Sequence, residues 1–216
     1  MNNEAGQNTS VHVEPVGPFQ VNTFFLSRGN SKEVIIIDPG DEADHLIDVV
    51  ESRSYQPVAI LNTHAHIDHM AAVQPMKARF SIPYYLHPAE LPVLKNTPMS
   101  ARNWGLPEPE VPEVDHLLED NEILEITGLS IQVLFTPGHT PGGSSFLVDG
   151  RVFGGDCLFY SSIGRTDFPG GDTRTLLDSL KNRYLTLPDE TIVHSGHGPD
   201  TTIGREREHN PFLANM

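Results

Sequence analysis

Cysteine is nearly absent: Cys157 is the only one in 216 residues. A single thiol excludes an internal disulfide and every zinc motif built from several cysteines. It also fits a reducing compartment. Positive charge is scarce, with 14 Lys and Arg against 29 Asp and Glu, a net charge of −15. Such a chain has no general basic field for nucleic acid or an anionic membrane. No apolar run approaches the ~18–20 residues that span a bilayer. The opening residues, MNNEAGQNTS, lack the basic start and apolar core of a signal peptide. A cytoplasmic protein acting on a small molecule is expected, with neither nucleic acid nor membrane as partner. No G-x-S-x-G elbow, P-loop or G-x-G-x-x-G occurs, so serine hydrolase, nucleotide hydrolase and dinucleotide-binding readings have no support. The 18 Gly and 18 Pro make the chain loop-rich but not low in complexity.

Histidine, by contrast, is plentiful, with 11 residues. Several follow apolar, strand-like segments directly. Residues 1–10 read as a flexible polar tail and 11–216 as one domain. Within 11–28, strand-like stretches are broken at Pro15, Gly17 and Pro18. Residues 33–38 form a buried strand closed by the turn Asp38-Pro39-Gly40. An amphipathic helix over 41–53 follows, with Asp41 as its N-cap. A strand over 57–61 runs into Thr63-His64-Ala65-His66-Ile67-Asp68-His69, and a helix over 68–79 succeeds it. Strands are expected at 84–86 and 131–135, and a hairpin at 145–154 turns on Asp149-Gly150. A helix over 173–187, a strand over 191–194 and a short helix over 204–209 complete the pattern. Residues 88–115 read as a largely irregular, Pro-rich excursion with a short helical stretch at 90–94. Long irregular segments of this kind are often lids. Alternating strands and helices without a linker point to an α/β fold, with helices covering two sheets.

Four strand ends carry His or Asp: His64/His66/Asp68/His69, His139, Asp156 and His197. In an extended loop, His64 and His66 project to one side. Neutral imidazoles with carboxylates and no thiolates suit zinc, iron or manganese. Seven such groups exceed the four ligands of one tetrahedral zinc. They fit two divalent metals with one carboxylate between them. Two such ions share a water, lower its pKa and deliver a metal-bound hydroxide to a carbonyl carbon. A thioester releases a thiolate of pKa about 8.5, which needs no strong acid to leave. An amide nitrogen must be protonated as it departs. The one acid in view, Asp68, would be occupied by metal and left to orient the hydroxide. Thioester hydrolysis therefore suits this set better than peptide hydrolysis.

The run THAHIDHM, with Pro137-Gly138-His139, Gly155-Asp156 and Gly196-His197-Gly198, resembles the metallo-β-lactamase superfamily over about residues 11–212. The resemblance implies an αββα sandwich with the metals at one end of the two sheets. It implies one site of His64, His66 and His139, a second of Asp68, His69 and His197, and Asp156 as the bridge, with zinc as the first expectation. Within the superfamily, Asp38-Pro39-Gly40, residues 162–172 (SIGRTDFPGGD) and residues 196–213 resemble the short bacterial glyoxalase II-like group. That group implies hydrolysis of a thioester such as S-lactoylglutathione. The chain departs from full-length glyoxalase II by ending soon after His197, without the helical region that helps bind glutathione. Two rivals share the fold: a persulfide dioxygenase with a single iron, and a lactonase or β-lactamase-type hydrolase.

Lesser expectations attach to other residues. Asp38 either hydrogen-bonds the metal loop from behind or is a turn former. Arg165 either binds a substrate carboxylate or pairs with Asp167 or Asp172. Trp104, with Leu91 or Leu94, is expected in the pocket wall. Cys157 should be a buried, inert thiol facing away from the metals. His87 reads as core; His12, His45, His116, His194 and His209 are not read as ligands.

Overall fold

The computed structural model describes residues 9–213. Of the expected tail, residues 1–8 lie outside that range, and Thr9 and Ser10 already belong to a strand. Strands β1 (Thr9–Val16) and β2 (Val21–Arg28) pair antiparallel. Strand β3 (Glu33–Ile37) follows, then helix α1 (Ala43–Ser52) crosses over to β4 (Gln56–Leu61), which lies parallel to β3. Helices α2 (Ile67–Met70) and α3 (Val73–Phe80) make the next crossover to β5 (Tyr84–Leu86). A 3₁₀ turn at Pro88–Glu90, α4 (Leu91–Lys95) and α5 (Thr97–Trp104) lead to β6 (His116–Leu117). Strands β1 to β6 form one six-stranded sheet in chain order.

The antiparallel meander of β7 (Ile123–Ile126), β8 (Leu129–Phe135), β9 (Ser144–Val148) and β10 (Arg151–Gly155) opens the second sheet. The β9–β10 turn places Asp149 and Gly150 both at positive φ, the conformation a tight two-residue hairpin demands. A small hairpin, β11 (Leu158–Phe159) and β12 (Ser162–Ile163), precedes α6 (Thr173–Ser179) and a π-helical turn at Leu180–Tyr184. Strands β13 (Ile192–Ser195) and β14 (Thr201–Thr202) join beside β10, and α7 (Ile203–His209) follows.

Alternation along β3 shows how the layers form. Val34 and Ile36 face a core shared with Leu46, Val49, Val50 and Met76 of the helices. Ile35 and Ile37 face the opposite way, against Ile131, Val133, Phe146 and Phe153 of the second sheet. Successive strand residues point to opposite faces, so one apolar run serves both layers. Leu176, Leu180, Tyr184 and Ile203 cover the far side of the second sheet over Val152 and Val193. The order is helices, sheet, sheet, helices: an αββα sandwich in one domain. Among the described residues, no helix is long and apolar enough to cross a membrane.

Five expected elements need correction. The break expected at Pro15 does not occur, since β1 pairs with β2 through Pro15 to Val16. Helix α1 starts at Ala43, not 41, and Glu42 sits at its N-cap without a side-chain cap bond. Asp41 instead accepts the Glu42 N–H. The helix expected over 68–79 is broken at Ala71 and Ala72: the Ala71 N–H is shared between the Ile67 and Gly40 carbonyls, and the Ala72 N–H bonds the Pro39 carbonyl. The turn after β3 thereby takes the Ala72 donor that a continuous helix would use and shares that of Ala71. The helix expected over 173–187 ends in the π turn, where Leu185 N bonds Leu180 O. The excursion over 88–115 is more ordered than expected, since α5 occupies eight residues of it.

Candidate metal centre

The seven candidate residues meet at one end of the sandwich, each delivered by the loop after a strand. His64 and His66 follow β4, and His66 is the N-cap of α2, which carries Asp68 and His69. His139, Asp156 and His197 follow β8, β10 and β13. Three groups of ligand atoms each gather within 4.8 Å: His64, His66 and His139; His64, His69 and Asp156; and Asp68, His69 and His197.

Hydrogen bonds on the outer side of the rings fix which nitrogens face inward. The Thr63 hydroxyl donates to Asp38 Oδ2 at 2.7 Å, so at 3.0 Å it accepts the Nδ1–H of His64. His139 Nδ1 donates to the Arg165 carbonyl at 2.6 Å. The Nε2 lone pairs of both rings therefore point inward, 3.1 and 2.9 Å from His66 Nδ1. Burial, with the neighbouring imidazoles, drives the His64 pKa well below its ordinary value and takes His66 to about 4. Neutral imidazole nitrogens aimed at one point could hold a cation.

The second group is built around carboxylates. Asp38, 1% exposed, accepts from Thr63 N at 2.8 Å and from His69 Nδ1 at 3.0 Å. His69 Nε2 then points at Asp156 Oδ1, 3.3 Å away, and both atoms are buried without a hydrogen-bond partner. His197 Nδ1 donates to the Phe19 carbonyl, leaving Nε2 3.3 Å from Asp68 Oδ2. Burial would lower the His69 pKa, but Asp156 and Asp68 outweigh it and hold it well above the ordinary value. The same histidine, with His139 and His197, overcomes burial to hold Asp156 below the carboxylate range. A buried pair of partnerless donor atoms within an imidazole–carboxylate set fits a divalent ion.

Residues with no metal-ligand signature brace these loops. Glu90, 0% exposed, accepts from Ala65 N at 2.8 Å and Gly142 N at 2.7 Å, tying the His64–His66 loop to the loop after His139. Asn22 donates to the Ser195 and Gly198 carbonyls on either side of His197. Gly40 and Gly164 lack a side chain because a Cβ there would overlap the backbone oxygens of Asp68 and Asp156. Sequence reasoning missed Glu90 and Asn22.

Beside the histidines opens a cavity of about 820 Å³, lined in part by Phe19, His66, Val93, Trp104, Arg165 and Phe168. Trp104 thus reaches the cavity. Leu94 does not, being part of the core, and Leu91 is exposed outside it. Arg165 lines the cavity, but its guanidinium makes two 2.7 Å hydrogen bonds to Asp167. His87 stacks on Phe135, and His194 is buried against Phe153.

Cys157 is buried, and burial pushes its thiol up to about 12. Thiolate is the reactive form. Cys157 should therefore resist a disulfide reagent at pH 8 in the folded protein and react with one equivalent in denaturant. Prompt labelling of the folded protein would contradict this.

The fold and this His and Asp cluster point to a class of metal-binding proteins. The sequence profile of the Metallo-beta-lactamase superfamily matches residues 16–197. The chain belongs to that superfamily. It is 40% identical over 203 residues to "Probable metallo-hydrolase YqgX" of Bacillus subtilis, covering 92% of this chain and 95% of that one. It is 36% identical over 208 residues to "Hydroxyacylglutathione hydrolase GloC" of Haemophilus influenzae, covering 94% and 98%. Among solved structures, BLEG-1 B3 metallo-beta-lactamase superposes with a TM-score of 0.89 at 45% identity, covering 94% of this chain and 99% of that one. TTHA1623 in a di-iron-bound form gives 0.84 at 44% identity, covering 94% and 100%.

Proposed function

We propose that this chain is a two-metal hydrolase of small thioesters. His64, His66 and His139 would hold one ion and Asp68, His69 and His197 the other. Asp156 would lie between them. The observation that carries the reading is the division of Asp156: Oδ1 faces His69 and His197 at 3.3 and 3.6 Å, while Oδ2 faces His139 at 3.6 Å. Divalent ions held there would supply an activated water and a Lewis acid for the developing oxyanion. Zinc is the first expectation from the donor set, with iron or manganese as alternatives.

The protein groups favour a leaving group that needs no proton. Burial would raise the Asp68 pKa, but His69 and the hydrogen bond from His197 keep it below its ordinary value. An ionised Asp68 orients; it does not protonate an amine. A thiolate can depart unaided. The GloC name of one relative supports a hydroxyacyl thioester. The −15 net charge supports a small-molecule substrate over nucleic acid or anionic membrane, and we place the enzyme in the cytoplasm.

The test combines metal analysis with turnover. About two transition-metal ions per chain and hydrolysis of S-lactoylglutathione are expected. A metal-replete protein with one iron, consuming oxygen with glutathione persulfide and cleaving no thioester, would replace this reading with the dioxygenase. Truncating glutathione while keeping the lactoyl group should cost less than about tenfold in kcat/KM. A loss on the order of 10³-fold, about 4 kcal/mol, would reveal a dedicated glutathione site.

A further inference from the structure

Three aromatic residues from distant segments stand in a row at the mouth of the cavity. Phe168 packs its edge against His66, with ring centroids 5.6 Å apart. Trp104 lies 6.5 Å from Phe168, and Phe19 lies 5.6 Å from Trp104, both edge-on. Phe19 comes from the β1–β2 turn, Trp104 ends α5, and Phe168 lies between β12 and α6. Trp104 is 50% exposed and Phe19 37%. The row thus begins on a candidate metal ligand and runs outward along the cavity. Pro92, Val93 and Pro141 extend the apolar lining.

The cavity lining also has almost no positive charge. Arg165 is its one Lys or Arg. That guanidinium is held by Asp167 and lies flat over Phe168, 3.9 Å from the ring centre. Among the described residues, no Lys or Arg of the lining is left free for a carboxylate or phosphate; apart from the His and Asp cluster, the polar lining is the neutral Asn96, Thr97, Ser100 and Asn103. Aromatic faces and edges without a free cation recognise apolar or planar groups.

We infer that Phe19, Trp104 and Phe168 form a specificity arch that selects thioesters with a bulky apolar acyl group, aromatic ones above all. The reaction rests on the thioesterase reading; the recognition rests on the arch alone. We assign the arch to the acyl side, where two thioesters that share one thiol can be told apart. Phe168 touches His66, so the arch begins against the candidate metal ligands. Trp104 lies a further 6.5 Å beyond Phe168, so filling the row takes a group much larger than lactoyl.

Trp104 is the sole tryptophan, so its fluorescence reports occupancy of the arch directly. The probes are S-benzyl-N-acetylcysteamine and S-methyl-N-acetylcysteamine, thioethers that cannot be hydrolysed, added to the metal-loaded protein. The benzyl probe should shift the emission saturably; the methyl probe should not. In turnover, the phenylacetyl thioester of N-acetylcysteamine should exceed the lactoyl thioester in kcat/KM by about 10–100-fold. That ratio should collapse in Trp104→Ala and Phe19→Ala, mainly through KM, and be kept in Trp104→Phe. Circular dichroism checks that each variant is folded. Equal kcat/KM for the two esters, or a ratio unmoved by Trp104→Ala, would overturn the inference. So would identical fluorescence responses to the two thioethers. If no thioester is cleaved yet the benzyl probe still shifts Trp104, the reaction assignment falls and the arch stands.

Discussion

Asp156→Ala is expected to lower kcat/KM on the order of 10³-fold or more, about 4 kcal/mol of transition-state stabilisation. Metal content should fall at both proposed sites together. The reason lies in the two carboxylate oxygens. One faces His69 and His197 and the other faces His139, so this one carboxylate addresses both groups. Loss of His197 would weaken one ion; loss of Asp156 removes the group common to both. The deletion also strips His69 of its nearest inward carboxylate, leaving Nε2 with Asp68 at 3.9 Å. Elemental analysis of the purified variant, with a thioester assay, decides the matter. Near-normal turnover with full metal content would show that Asp156 is not shared.

Glu90→Ala is expected to destabilise the fold by about 2–5 kcal/mol, because it orphans two buried N–H donors at once. Ala65 N and Gly142 N would lose their acceptor in a region without solvent access. The two loops thus released carry His64, His66 and His139, so metal affinity should fall as well. Glu90→Gln is a sharper probe. Its amide fills the space but presents a donor to one of those N–H groups, so part of the loss should remain. Urea unfolding of the metal-loaded variants measures the effect. A change below about 0.5 kcal/mol for Glu90→Ala would place it among ordinary surface substitutions and refute the bracing role.

The candidate metal residues were legible because they lie in short runs at strand ends. Three imidazoles and a carboxylate between His64 and His69 have no packing explanation. Glu90 was not legible: a lone acid opening a helical stretch looks like any solvated first-turn residue. Only burial distinguishes it, and burial depends on loops distant in sequence. The break between α2 and α3 was hidden for a similar reason, since the competing acceptors are Pro39 and Gly40 carbonyls. Strands were clearer than helix ends. The apolar run of β3 feeds two cores and reads as strand from either side, whereas α1 lacks the side-chain cap that would mark its start. The pocket wall was only partly visible. Trp104 reaches the cavity, but Leu94 of α4 packs inward, into the core shared by the first sheet and its helices.

The centre draws on both sheets. His64 to His69 follow a strand of the first, while His139, Asp156 and His197 follow strands of the second, with His66 and His139 separated by 73 positions. During synthesis, the imidazoles of the first half emerge well before their counterparts exist. Each proposed ion takes ligands from both sheets and would then join two halves of the chain as a cross-link does, with the last-made strands supplying the closing ligands. Ligand binding favours the native state by mass action. Here it would also tie the docking of one sheet on the other to metal supply, making the ion a late checkpoint of assembly as well as a reagent.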